Sequence, residues 1–162
     1  MKKSAKIQQK NSQSIEVYLV IGEQNSGKSS TISALTGVRK LEPKWRMLYV
    51  AGASNEHTFV HPRSLQEYPK TPSDFVKEVR AAKVKKVIVA LREHRRGVKY
   101  PDAQGYADHF EKKAKWIIVA QASLNGASPV TTRLVGPIAK VKGHPRATNE
   151  TAADIRKIWG LP

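Results

Sequence analysis

The chain contains no cysteine, which excludes disulfides, thiolate zinc sites and cysteine nucleophiles. It also lacks any apolar run approaching the ~18 residues of a membrane-spanning helix, so no membrane partner is expected. Residues 1–10 are basic but no apolar stretch follows them. They do not read as a secretory signal, and a cytoplasmic location is the simplest expectation. Acidic residues are the third shortage: 13 Asp and Glu stand against 29 Lys and Arg, a net charge of +16. Such an excess attracts polyanions through Coulomb steering and counterion release, so nucleic acid is the first partner to consider. An acidic protein, or simply a solvated basic surface, is the alternative.

Apolar residues make up 40% of the 162 positions, enough for one globular domain with a real core. Residues 1–14 are rich in Lys, Gln, Ser and Asn and read as a flexible basic tail, leaving 15–162 as a single domain. Within it, strand-like and helix-like segments alternate. The strand candidates are 17–21 (Val-Tyr-Leu-Val-Ile), 47–51, 87–91 and 116–120, with 132–141 as a fifth that Gly136 and Pro137 interrupt. A helix is expected from about Gly27 to Thr36, ended by Gly37. Thr71-Pro-Ser-Asp opens another that buries Phe75, Val76 and Val79. Asp102 caps a third, carrying Ala103, Tyr106, Ala107 and Phe110. Thr151 starts a fourth, with Ile155, Ile158 and Trp159 inward. The stretch 52–70 holds Gly, Asn, His and Pro and reads as a long loop. This rhythm predicts an α/β fold, a three-layer α/β/α sandwich around a mainly parallel sheet of about five strands, with ligands beyond the strands' carboxyl ends.

Residues 22–29 read Gly-Glu-Gln-Asn-Ser-Gly-Lys-Ser and satisfy the phosphate-loop pattern Gly-x-x-x-x-Gly-Lys-Ser/Thr directly after a strand and at the start of a helix. Gly22 allows a sharp turn. Gly27 allows close approach of the main chain to phosphate, and the amides from about Asn25 and Ser26 to Ser30 form a nest for oxyanions. The helix adds the positive end of its dipole. Lys28 sets a cation against the phosphates and the Ser29 hydroxyl suits magnesium.

On these residues the chain resembles the P-loop NTPase superfamily. The resemblance implies ATP or GTP with magnesium, and phosphoanhydride hydrolysis or phosphoryl transfer; beyond 17–37 only the strand–helix rhythm matches. Members carry a second acid at the end of an apolar strand. Here Leu91 occupies that place, and Glu93 is the nearest acid. It can orient the metal's water or the attacking water, or be a surface acid neutralised by Arg92, Arg95 and Arg96. Glu56 is the reserve candidate. By analogy with the additional-strand ATPase branch, Gln121 and Ser123 stand where a γ-phosphate sensor would lie. The run Gly-Lys-Ser-Ser-Thr-Ile-Ser-Ala-Leu-Thr-Gly also looks like the start of a GTPase. No Asn/Thr-Lys-x-Asp tetrapeptide follows, so ATP is preferred over GTP.

Between 77 and 99 there are nine Lys and Arg and two Glu. The segment 91–100, with Arg92, Arg95, Arg96 and Lys99, reads as a phosphate or nucleic-acid contact or as the arginine lid of a small-molecule kinase. Arg133 is a candidate arginine finger toward a neighbouring copy, which makes a homo-oligomer or a partner protein an open expectation. His57 and His61 have helical metal-ligand spacing in a segment that does not look helical, and lack a third ligand. The reading favoured is a small ATPase working with nucleic acid, with Lys28 and Glu93 as its catalytic residues. A kinase is the alternative, and a non-hydrolysing ATP-binding protein is the third.

Overall fold

A computed structural model describes residues 14–37, 44–48, 56–133, 136–142 and 148–161. Most of the basic tail lies outside these residues. In chain order the elements are β1 (Glu16–Ile21), α1 (Lys28–Thr36), β2 (Lys44–Leu48), β3 (Glu56–His61), α2 (Pro72–Ala81), β4 (Lys86–Leu91), α3 (Ala103–Asp108) continuing into a π-helical turn (His109–Lys113), β5 (Ile117–Leu124), β6 (Ile138–Val141) and α4 (Thr148–Trp159). They build one six-stranded sheet in the order β2-β3-β4-β1-β5-β6. Five strands are parallel, and β2 pairs antiparallel with β3 at one edge.

Side-chain alternation along the central strands separates two cores. Val17, Leu19 and Ile21 of β1 and Val87, Val89 and Leu91 of β4 face Phe75 and Val79 of α2 and Tyr106 and Phe110 beyond them. Val20, Ile88 and Ala90 face the other way, onto Ile32 of α1 and Ile155 and Trp159 of α4. With period-two strands buried on both sides, the result is helices, sheet and helices in three layers. The first core is aromatic: Phe75 lies 5.8 Å from Phe110 and 6.3 Å from Trp116, ring centre to ring centre. Each such ring contributes roughly 1.5–3 kcal/mol by leaving water.

Local chemistry ends the helices where the sequence implies. Thr71 accepts from the Asp74 amide at 3.2 Å, with Pro72 opening α2. Asp102 accepts from the Gly105 amide at 2.8 Å. Gly37 closes α1 at φ 69°, a left-handed conformation that favours glycine. The Arg156 guanidinium of α4 donates to the Ala34 and Leu35 carbonyls, both at 3.0 Å. It thereby satisfies acceptors that the end of α1 leaves open. Trp159 donates from Nε1 to the Gln121 carbonyl at 2.8 Å, anchoring α4 to β5.

The structure corrects several expectations. The stretch 52–70 is not one loop: Glu56–His61 is a strand between β2 and β4. Thr58, Phe59 and Val60 are good strand formers, and the Gly, Asn and Pro around them masked the run. β2 begins at Lys44 rather than 47, and residues 49–51 lie outside the described set. β5 extends to Leu124. The fifth candidate shrinks to Ile138–Val141 because Pro137 has no amide to donate, although its carbonyl still accepts from Gln121 at 3.1 Å. Gly136 lies so close to β5 that a Cβ there would stand 2.1 Å from the Val119 carbonyl oxygen. α4 starts at Thr148, and buried Thr151 donates to the Lys142 carbonyl. Ile158 is 42% exposed rather than inward.

Residues 62–70, after β3, form a turn whose centre is buried and whose flanks reach the surface. Ser64, Leu65 and Gln66 are fully buried. The Gln66 side chain donates to the Arg92 and Pro101 carbonyls at 3.0 and 3.1 Å and accepts from the Arg92 amide at 3.0 Å. His61, also fully buried, supports the turn from below, with Nδ1 2.6 Å from the Arg63 carbonyl. A carbonyl only accepts, so Nδ1 carries the proton and Nε2 is bare.

Burial pushes the His61 imidazole down to about 4, the charges of Lys70 and Arg63 adding to it against the Arg63 carbonyl hydrogen bond. The unfolded chain therefore takes up this proton first as pH falls. Stability is full above pH ~6.5 and falls toward pH ~4, by about 3 kcal/mol for this group. Urea unfolding at pH 7.5 and 4.5 will show a smaller acid loss in His61→Gln than in the natural chain. Thr71→Ala, which removes the α2 cap, will cost about 1 kcal/mol in the same assay at pH 7.5.

Candidate functional site

The carboxyl end of β1, held between β4 and β5, is the point from which the site is built. The Gly22 amide donates to the Leu91 carbonyl at 3.1 Å, the last ladder bond before the chain turns. A Cβ on Gly22 would sit 2.3 Å from Ser26 Oγ, so the loop closes on itself only because residue 22 has none. Asn25 at φ 61° and Gly27 at φ 86° supply the two left-handed steps of the curl. α1 then starts at Lys28, the Thr31 amide donating to the Gly27 carbonyl at 2.9 Å. No side chain caps this helix, and its first residues border the cavity in front of the loop.

Lys28 is 5% exposed and folds back over the loop, Nζ donating to the Glu23 carbonyl at 2.6 Å. Burial lowers its ammonium below the usual lysine range. The Glu67 carboxylate, then Glu23, oppose that shift, while Arg92 adds to it. The Ser29 hydroxyl donates to the Pro62 carbonyl at 2.9 Å. A hydroxyl has one proton to give, so this bond leaves its lone pairs available. In front lies a polar cavity of about 530 Å³, lined by residues 24–30 together with Arg63, Glu67 and Arg96. That volume is within the range of small-molecule sites.

Of the residues singled out in the sequence, Asn25, Ser26, Gly27, Lys28, Ser29, Ser30 and Arg96 line this cavity. Gly22 is buried beneath it. The others are placed elsewhere. Arg92 pairs with Glu23 at 3.2 Å. Arg95 and Lys99 are exposed beside a tight turn in which the Arg96 amide donates to the Tyr100 carbonyl at 2.9 Å. Arg133 contacts buried Glu111, its amide donating at 3.0 Å, and lines a pocket beside Trp116 and the first residues of β5, at the far end of the sheet. Glu93 accepts from the Ser128 amide at 3.0 Å and does not line the cavity. Glu56 opens β3, whose carboxyl end is the one nearest the site. Gln121 is bonded both ways to the Val130 backbone at 2.8 Å and is thereby occupied in tying β5 to the loop that follows it. His57 and His61 share one strand, a spacing of about 13 Å along the chain rather than one helical turn.

Three residues at or beside the cavity escaped the sequence reading: Arg63, Gln66 and Glu67. All sit in the turn after β3, and a short segment between Pro62 and Pro69 carries no periodic signal that would aim them. Beside the cavity, Glu23, Glu93 and His94 bring three potential metal-ligand atoms within 4.8 Å of one another. Each is already engaged: Glu23 accepts from the His94 amide at 3.0 Å and lies 2.7 Å from His94 Nδ1, and Glu93 holds Ser128. For Glu23, burial raises the carboxyl, but the His94 and Arg92 hydrogen bonds outweigh it and hold the group below its ordinary value. The same contact raises the exposed His94 imidazole. The arrangement reads as an ionic clasp between the 22–29 loop and the segment after β4. No helix among the described residues is long and apolar enough to cross a membrane. No protein-family model, curated protein or solved structure matches this chain.

Proposed function

We propose that the chain binds a nucleoside triphosphate with magnesium through residues 22–30, in the manner of a P-loop NTPase, and hydrolyses ATP in association with nucleic acid. One observation carries the reading: a glycine-hinged loop and an uncapped helix start border a polar cavity, beside which the buried Lys28 ammonium lies. Backbone amides and a desolvated ammonium converging on one space are what a polyphosphate requires. The magnesium fit is supported by the Ser29 hydroxyl, whose proton is directed at Pro62 so that an oxygen lone pair remains for a hard cation. Magnesium, when bound, would neutralise charge on the phosphate oxygens. Lys28 binds and orients the same oxygens. Arg63 and Arg96 line the same cavity from the same chain, so cationic help does not depend on Arg133 of a neighbouring copy. Net charge of +16 supports a polyanionic partner.

Arg96 in the cavity wall favours a second reading, phosphoryl transfer to a small acceptor with the 92–100 segment acting as a lid.

Lys28→Ala will weaken ATP binding by about 10–100-fold, the worth of a charged hydrogen bond, in isothermal titration. A full-affinity variant would remove the loop from the site. Phosphate release from ATP will rise on adding DNA or RNA, and the stimulation will fade between low and high salt. Label transfer to a small acceptor, with no response to polynucleotide, would favour the kinase reading instead.

A further inference from the structure

We infer that Glu67, rather than Glu93, is the acid that holds the water shell of the nucleotide's magnesium ion, with the 62–70 turn as its platform. This rests on the proposed function of the 22–30 loop and names the second half of the same site.

Three acids stand near the loop. Glu23 is held by Arg92 and by the amide and ring of His94. Glu93 is held by the Ser128 amide. Among the described residues, Glu67 is the one acid in the cavity wall, and its carboxylate makes no hydrogen bond there. A carboxylate facing a polar cavity with no protein donor is left to solvent or to a cation. Magnesium keeps several waters and is bound through one or two carboxylates plus phosphate oxygens, so an acid set back from the ion suits it.

The platform is rigid and tied to the loop it would serve. The Glu67 and Tyr68 amides both donate to the Ser64 carbonyl, at 3.0 and 2.9 Å, and the Leu65 amide continues onto β4 through the Ala90 carbonyl at 3.2 Å. Gln66 pins the turn to the end of β4. Pro62, at the head of the same turn, accepts the Ser29 hydroxyl. One short segment therefore both aims the serine and presents the carboxylate. This replaces an acid on the strand end itself, where Leu91 stands. Glu67 is also the foremost negative charge acting on Lys28, so a simple counter-ion role is the competing account. The two accounts differ in what magnesium does.

The test is isothermal titration of the full chain with ATP, in magnesium and in EDTA, for the natural protein, Glu67→Gln, Glu67→Asp and Glu93→Gln, each checked for folding by circular dichroism. Glu67→Gln will lose about tenfold or more of the affinity gained on adding magnesium, the usual effect of losing an outer-shell group. Its binding in EDTA will be unchanged or tighter. Glu67→Asp will recover part of the gain, and Glu93→Gln will keep it. A Glu67→Gln protein with the full magnesium gain overturns the inference and leaves Glu67 a counter-ion to Lys28. If the natural protein binds ATP in neither condition, the loop's proposed function itself fails, and that outcome is visible without any variant.

Discussion

The Ser29 hydroxyl on the Pro62 carbonyl joins the two halves of the candidate site. One half is the 22–29 loop, whose shape is set by Gly22 folding under Ser26 and by left-handed Asn25 and Gly27. The other is the turn after β3, which rests on buried Leu65, Gln66 and neutral His61. β1 lies beside β4, and β4 beside β3, so the carboxyl ends of three parallel strands bring these segments to one place. A parallel sheet does this by construction, since every strand of the set ends on the same edge.

Scarcity of acid shapes the electrostatics of that edge. Glu23 is used to fasten Arg92 and His94, which ties the segment after β4 to the loop. Glu93 fastens the β5 loop through Ser128. What remains at the cavity is a cationic wall of Lys28, Arg63 and Arg96 facing a single carboxylate. Such a wall favours a polyanion over a neutral ligand. Lysine burial sharpens this: an ammonium already stripped of water gives up little further hydration when it meets phosphate.

The 92–101 segment shows how one basic run is divided by packing. Arg92 turns inward to Glu23, Arg96 turns to the cavity, and Arg95 and Lys99 stay in solvent, with Val98 97% exposed at the tip. Four cations that look alike in a charge count have three different environments. Arg133 belongs to a different edge altogether, paired with Glu111.

What the sequence determined alone were features that are local along the chain. The α/β class, the 22–29 loop, the Thr71 and Asp102 caps, the Gly37 stop and the inward faces of α2 and α3 each depend on residues within a few positions of one another, where periodicity and capping chemistry act. β3 and the residues Arg63, Gln66 and Glu67 were decided by tertiary structure. A short strand bounded by Gly and Pro is held by its two neighbours in the sheet, and a turn residue reaches a cavity only once strands far apart in sequence align their ends. The surroundings of Glu93 were settled in the same way. Proximity in sequence put it near β4, but the amide that claims its carboxylate comes from Ser128, 35 residues away.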